Sequence, residues 1–201
     1  MSARTAGICF ALLCITGTLV YTQGGTAASK TPPAPQTKAT IAPPATDADK
    51  IKSAMSAAPA SIANAATIMD IGKDMKMRTL KQGTNGWTCI PDSPSPGVDP
   101  MCVDQNGMLW MDAWMNHKDP PAGKIGLGYM LMGGSDASQT DPYAMEPKPG
   151  AKWIDTGPHI MVLNIGSAFA SNYPTVATNT KAPYVMFPGT PYAHLMVPIG
   201  K

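Results

Sequence analysis

The sequence predicts an α+β domain in which a small antiparallel β-sheet forms the core, with two or three short helices and one disulfide. Short apolar runs separated by Gly- and Pro-rich turns are typical of antiparallel strands, and the 201 residues include 21 Pro and 19 Gly. Two segments carry apolar residues at helical spacing. The chain shows no regular alternation of strand and helix, which argues against a doubly wound fold.

Three segments divide the chain. Residues 1–28 have the pattern of a secretory signal peptide, with Arg4 before an apolar stretch and small residues up to Ala28. Retention of this segment as an anchor is the alternative. Residues 29–46 are rich in Pro, Ala and Thr, which predicts a disordered linker. Residues 47–201 then form a single globular domain, located in the periplasm or secreted.

The charge distribution excludes some classes of partner. The formal net charge is +2, and charged residues make up only 14% of the chain. No Lys/Arg cluster alternates with aromatic residues, so nucleic-acid binding is not expected. No basic amphipathic helix is evident either, so we expect no membrane insertion of the mature domain. The partners themselves stay unknown.

Two of the four cysteines belong to the mature domain. Cys9 and Cys14 lie in the signal segment, which leaves Cys89 and Cys102. An even pair in an exported protein predicts a structural disulfide, here closing the loop 90–101. A redox-active or metal-binding dithiol is the alternative.

Two helices are predicted in the domain. The first covers residues 47–58, where Thr46 or Asp47 provides an N-cap and Pro59 ends the helix. The second covers residues 104–117, in which methionines recur every three or four residues and form a predicted core stripe: Met108, Met111 and Met115.

The remaining apolar runs predict strands. An Asn-Gly turn within residues 83–86 predicts a hairpin between 78–81 and 87–90. A long irregular loop is expected at 133–147. The other predicted strands are 66–71, 124–132, 158–165, 184–187 and 195–199.

The predicted loop allows two kinds of chemistry. Oxygen donors suited to Ca²⁺ follow one another there, although Asx and Ser turns account for them more simply: Asp136, Ser138, Asp141 and Glu146. A hydrolase triad can be assembled from Ser135, Asp136 and His159, but the Gly-x-Ser-x-Gly motif is missing. No motif assigns a catalytic residue or an organic cofactor.

All three histidines lie two residues from a methionine. His117 follows Met115 at the predicted end of a helix, where a cation is favoured by the helix dipole, so it is set aside as a ligand. The other two pairs lie on predicted strands, where residues i and i+2 share a face. Imidazole and thioether donors together favour copper. The candidate metal ligands are therefore His159, Met161, His194 and Met196.

Two alternatives to a metal site stay open for these residues. Buried histidines beside core methionines would need no metal. The domain would then be a metal-free binding or interaction module of the cell envelope, for which aromatic side chains provide typical anchors: Trp87, Tyr143, Trp153, Tyr184 and Tyr192.

Several short motifs resemble those of a group of secreted bacterial proteins. The resemblance covers about residues 51–198 and implies export and a single domain, with no activity or ligand to transfer. The His-x-Met pairs are also similar in ligand type to periplasmic copper chaperones of the cupredoxin-like kind, but the additional upstream His and Met of those proteins are not reproduced. The motifs lie at 83–89, 99–102, 128–131, 133–138 and 189–196.

Overall fold

The computed structural model describes residues 43–176 and 179–200. The predicted signal peptide and nearly all of the predicted linker lie outside the described residues. None of the helices in the described ranges has the length and apolar character that a membrane crossing requires.

Four helices occur in the described part of the chain, and side chains cap the two longest. The hydroxyl of Thr46 accepts a hydrogen bond from the amide of Asp49, and the carboxylate of Asp104 accepts one from the amide of Gly107. Both predicted helices are confirmed, although each ends before the predicted residue. The helices are α1 (Asp47–Met55), α2 (Ala60–Ala63), α3 (Gln105–Met115) and α4 (Gly166–Ala170).

The described residues also form ten short strands. They are β1 (Thr67–Ile71), β2 (Met77–Lys81), β3 (Thr88–Ile90), β4 (Met101–Val103), β5 (Gly126–Met130), β6 (Gly134–Asp136), β7 (Ile154–Thr156), β8 (His159–Leu163), β9 (Tyr184–Met186) and β10 (His194–Pro198).

Eight of these strands form one sheet in the order β2-β1-β3-β4-β5-β8-β10-β9. Neighbouring strands are antiparallel except β1 and β3, which are parallel. The α+β class is therefore confirmed. The expectation of a small antiparallel sheet is wrong in its detail, because the sheet has eight strands and one of its pairs is parallel.

The predicted hairpin between β2 and β3 does not form. Both strands pair with β1 instead, one on each side. The connection crosses the end of β1 at very close range, since a Cβ on Gly83 would lie 2.2 Å from the main chain of Ala66 and Thr67. The Asn-Gly turn therefore connects β2 to β3 although β1 lies between them. Because β2 is antiparallel to β1 and the turn reverses the chain, β3 runs parallel to β1.

The segment predicted as a long irregular loop contains a strand. Residues of β6 pair with those of β7 in a separate two-stranded sheet, with Ser135 opposite Asp155. Three-residue strands are too short to produce a recognisable alternation of apolar and polar residues. The expectation of an irregular loop is wrong for Gly134–Asp136.

The helices cover both faces of the large sheet. On one face, Ala54 of α1 and the alanines that follow the helix pack with Ile68 and the two cysteines. Cys89 lies directly opposite Cys102 in the β3–β4 pair, and their sulfur atoms are at disulfide distance. On the other face, α3 places Trp110 and Met111 over a core rich in methionine.

Two glycines allow α3 to lie directly on β5. A Cβ at Gly126 would lie 2.4 Å from the amide nitrogen of Gly107, which belongs to the helix backbone and cannot rotate away. We expect Gly126→Ala to lower the free energy of unfolding by about 1–3 kcal/mol, as overpacking does. Urea denaturation measures this value.

Gly157→Ala serves as the matched control, because nothing lies within 4 Å of a Cβ added there. Equal stabilities for the two alanine variants would contradict the close contact between α3 and β5.

Candidate metal centre

The four predicted metal ligands lie on one face of the large sheet. Strands β8 and β10 are antiparallel neighbours, with Met161 opposite Met196 and His159 opposite Pro198. Residues two apart on a strand project from the same face. Both His-x-Met pairs therefore point towards the core beneath α3.

The two methionines meet, and the histidines lie on either side of them. His194 lies four positions from Pro198, the partner of His159, which corresponds to ~13 Å of main chain at a typical strand rise. Burial is the main cause that lowers the pKa of His194, and a charge on His159 lowers it further. The pairing therefore places Met161 and Met196 between the imidazoles.

Both imidazoles are held in the same way. The Nδ1 atom of His159 lies 2.7 Å from the carbonyl of Gly157, and that of His194 lies 3.0 Å from the carbonyl of Tyr192. A carbonyl only accepts, so Nδ1 carries the proton and Nε2 keeps its lone pair. Histidines that bind metals are commonly oriented by such a second hydrogen bond.

Burial keeps both rings neutral. His159 is 2% exposed and His194 is 4% exposed. Burial lowers the pKa of His159, and it lowers that of His194 to about 4. At neutral pH both side chains are therefore in the form that can donate a lone pair to a metal ion.

Polar atoms without a hydrogen-bond partner cluster at this core. Within the described residues, the buried atoms His159 Nε2, Tyr184 Oη and Trp110 Nε1 lack one. Most buried polar atoms in folded proteins are paired, because leaving one unpaired is destabilising. The unpaired nitrogen of His159 marks a place where an electron-pair acceptor would be stabilising.

Two further thioethers border the predicted site, and sequence reasoning missed them. Met130 lies opposite His159 on β5, and Met186 lies opposite His194 on β9. Only the strand pairing brings these residues to the histidines. The space for Met161 comes from Gly128, whose added Cβ would lie 2.7 Å from the terminal methyl of Met161.

His117 lies apart from this core. It follows the end of α3 in a left-handed conformation, with φ of 53°, and its exposed ring stacks on Tyr143 at 4.2 Å between centroids. The predicted helix end at His117 is two residues too late, since α3 ends at Met115.

Polar side chains between β6 and β7 accept hydrogen bonds from nearby main-chain amides and so stabilise local turns. The hydroxyl of Ser138 accepts from the amides of Thr140 and Asp141, and Asp141 accepts from the amide of Tyr143. In the described ranges, no group of three or more His, Cys, Asp or Glu side chains is arranged to hold a metal ion. These turns account for Ser138 and Asp141, two of the four residues considered as calcium ligands.

The residues considered as a hydrolase triad are not joined by hydrogen bonds. Ser135 accepts from the amide of Gly97 and donates to the hydroxyl of Ser95. His159 bonds through Nδ1 to Gly157 instead. The arrangement therefore lacks the contact between hydroxyl and imidazole that activates a serine.

The aromatic residues of the binding-module hypothesis do not form one surface. Tyr184 and Tyr192 are buried, and Tyr143 is 36% exposed. Trp87 contacts Tyr129 and borders a mostly polar cleft of about 320 Å³. A single aromatic binding face is therefore not assembled from these side chains.

Comparisons with protein-family models, curated proteins and solved structures find no match to this chain. The arguments about function therefore come from the site itself.

The carboxyl of Asp136, at the end of β6, has a raised pKa. Burial, and then the negative charge of Asp99, raise its pKa to about 7. Folding therefore favours its protonated form, and this contribution to stability is lost as the pH rises from about 4 through 7. Relative to the natural protein, Asp136→Asn should gain stability over that range, by about 1–3 kcal/mol after allowance for solvent screening.

Urea denaturation at several pH values measures the effect. The exposed Asp119 makes a suitable control, and Asp119→Asn should follow the pH profile of the natural protein. A constant difference between Asp136→Asn and the natural protein across the range would show that Asp136 titrates normally.

Proposed function

We propose that this protein binds a soft metal ion, Cu(I), outside the cytoplasm. The ligands are the thioethers of Met161 and Met196 and the Nε2 atoms of His159 and His194. One observation carries the proposal: the β8–β10 register places Met161 opposite Met196 with both histidines on the same face.

The donor set favours Cu(I) over other ions. Thioether and neutral imidazole are soft or borderline donors, which hard cations such as Mg²⁺ and Ca²⁺ avoid. None of the four donors is anionic, and the site is buried. A singly charged ion is less destabilising in such surroundings than a doubly charged one, because the desolvation energy rises with charge.

The surroundings allow the ligands to adjust. Methionine has three rotatable side-chain bonds, so its sulfur can move towards an ion without a shift of the main chain. The histidines are held firmly by their Nδ1 hydrogen bonds to Gly157 and Tyr192. Met130 and Met186 offer additional sulfur atoms near each imidazole.

A role of these histidines in packing alone does not explain the unpaired Nε2 atom of His159. Apolar side chains would fill the core without burying an unpaired nitrogen, whereas the Nε2 atom of His159 lacks a partner among the described residues. A bound ion satisfies this atom. The metal-free envelope module is the alternative if no ion binds.

An extracytoplasmic location fits both the sequence and the cysteines. The Cys89–Cys102 pair lies at disulfide distance, and such bonds persist mainly in oxidising compartments. The signal-like segment at residues 1–28 supports export to the periplasm or the medium.

Cu(I) titration against a competing chelator tests the proposal. We expect one equivalent to bind tightly, with the affinity falling by ~100-fold or more in His159→Ala and in His194→Ala, because each removes a ligand. Met161→Leu and Met196→Leu keep the side-chain volume and should also weaken binding.

The chain offers matched controls for both ligand types. His117→Ala and Met145→Leu change exposed residues away from the core and should leave the affinity unchanged. Methyl NMR of the natural protein adds a measurement without substitution, in which the Met161 and Met196 methyl signals shift with Cu(I) and that of Met145 does not. Uptake without defined stoichiometry, equal in all variants, would refute the metal site.

A further inference from the structure

The chain contains two Asn-Gly dipeptides, and folding places them in different surroundings. Asn85 and Gly86 are exposed in the turn between β2 and β3, whereas Asn106 and Gly107 lie in the first turn of α3. The side chain of an asparagine reacts most readily with the next main-chain nitrogen when glycine follows, because glycine has no side chain to obstruct the approach. The two dipeptides therefore share their local chemistry and differ in structure.

The side chain of Asn85 is held against the main chain of its turn. Its Oδ1 atom accepts a hydrogen bond from the amide of Trp87 at 3.1 Å, which closes an Asx-turn around Gly86. The ring closed by this bond contains both the Cγ atom of Asn85 and the nitrogen of Gly86, and so keeps them on the same side of the turn. Two groups positioned in this way react faster than two that move freely.

The nitrogen of Gly86 is available to react. Its N–H group makes no hydrogen bond among the described residues. Asn85 and Gly86 also border the polar cleft of about 320 Å³, so water reaches both of them. The turn therefore presents an unengaged main-chain nitrogen and a fixed side-chain amide to the solvent.

We propose that Asn85 and Gly86 form a self-modification site, at which the chain converts Asn85 to isoaspartate. The Gly86 nitrogen bonds to the Cγ atom of Asn85, the bond from Cγ to Nδ2 breaks, and the Gly86 amide proton leaves with the amino group as ammonia. Water then opens the cyclic imide. Its addition at the main-chain carbonyl gives isoaspartate and its addition at Cγ gives aspartate, with no change in oxidation state.

The amide of Trp87 favours this reaction electrostatically. Attack on the Cγ atom of Asn85 moves negative charge onto Oδ1, the atom that the Trp87 amide already faces at 3.1 Å. A hydrogen-bond donor aimed at an oxygen on which charge develops lowers the activation barrier. The same hydrogen bond thus positions the reacting side chain and stabilises its transition state.

The second dipeptide is protected by its helix. The amide of Gly107 donates to the carboxylate of Asp104 at 2.7 Å, so this nitrogen is already engaged. The side chain of Asn106 donates to the carbonyl of Ile125 at 2.8 Å, and Gly107 is buried. Folding therefore exposes one Asn-Gly dipeptide to the reaction and shields the other.

Conversion of Asn85 alters the turn that contains it. Isoaspartate adds one carbon atom to the main chain, and its carboxylate cannot replace the hydrogen bond that Nδ2 donates to the carbonyl of Ile62 at 2.8 Å. The amides of Thr84 and Asn85 donate to the carbonyl of Ala65 within the same turn. The product therefore loosens the connection that crosses the end of β1.

Peptide mapping by mass spectrometry, on protein incubated at mildly alkaline pH, tests the site. In the folded protein we expect isoaspartate to form at Asn85 at least about tenfold faster than at Asn106. In urea the two rates should converge, because unfolding removes both the turn and the helix. The modified fraction, separated by ion exchange, should show faster hydrogen exchange at the amide of Thr84.

A substitution at Asn85 provides the second measurement. Asn85→Gln should abolish the early release of ammonia, because the longer side chain must close a larger ring. Asn116→Gln is the matched control, since Asn116 is exposed but is followed by His117, and early release should persist. Equal rates at Asn85 and Asn106 in the folded protein, or early release that persists in Asn85→Gln, would overturn the self-modification site. Unchanged hydrogen exchange at Thr84 would overturn the loosening of the turn.

Discussion

The pairing of β8 with β10 determines the character of the core, because it places Met161 directly opposite Met196. A shift of one residue would turn every side chain of one strand to the other face. The register is held from both sides: β5 pairs with β8 along its whole length, and β9 pairs with the start of β10. The central strands therefore fix which donors meet.

Helix α3 covers this face of the sheet and thereby sets the environment of the two histidines. The close contact between Gly107 and Gly126 brings the helix down onto the sheet, and Trp110 then shields His194 from water. Exclusion of water lowers the pKa of both imidazoles, as desolvation of a cationic form always does. The packing that stabilises the domain thus also keeps His159 and His194 neutral, which is the form that the proposed Cu(I) site requires.

Local patterns in the sequence predicted several helices and strands correctly. Helix α3 follows from the spacing of its methionines, and the strands that carry the His-x-Met pairs follow from short apolar runs. The hairpin prediction failed because turn chemistry describes only the turn itself. It does not reveal that β1 lies between β2 and β3. The strands β6 and β7 are too short to leave a periodic pattern.

The sequence by itself determined the candidate donors of the proposed site, their two-residue spacing on strands and the pairing of Cys89 with Cys102, because these depend on local period and composition. Only the tertiary structure decided that Met161 faces Met196 and that Met130 and Met186 lie opposite the two histidines. Those contacts join residues far apart in the chain, and their register follows from the packing of whole strands and of α3. No local pattern contains that information.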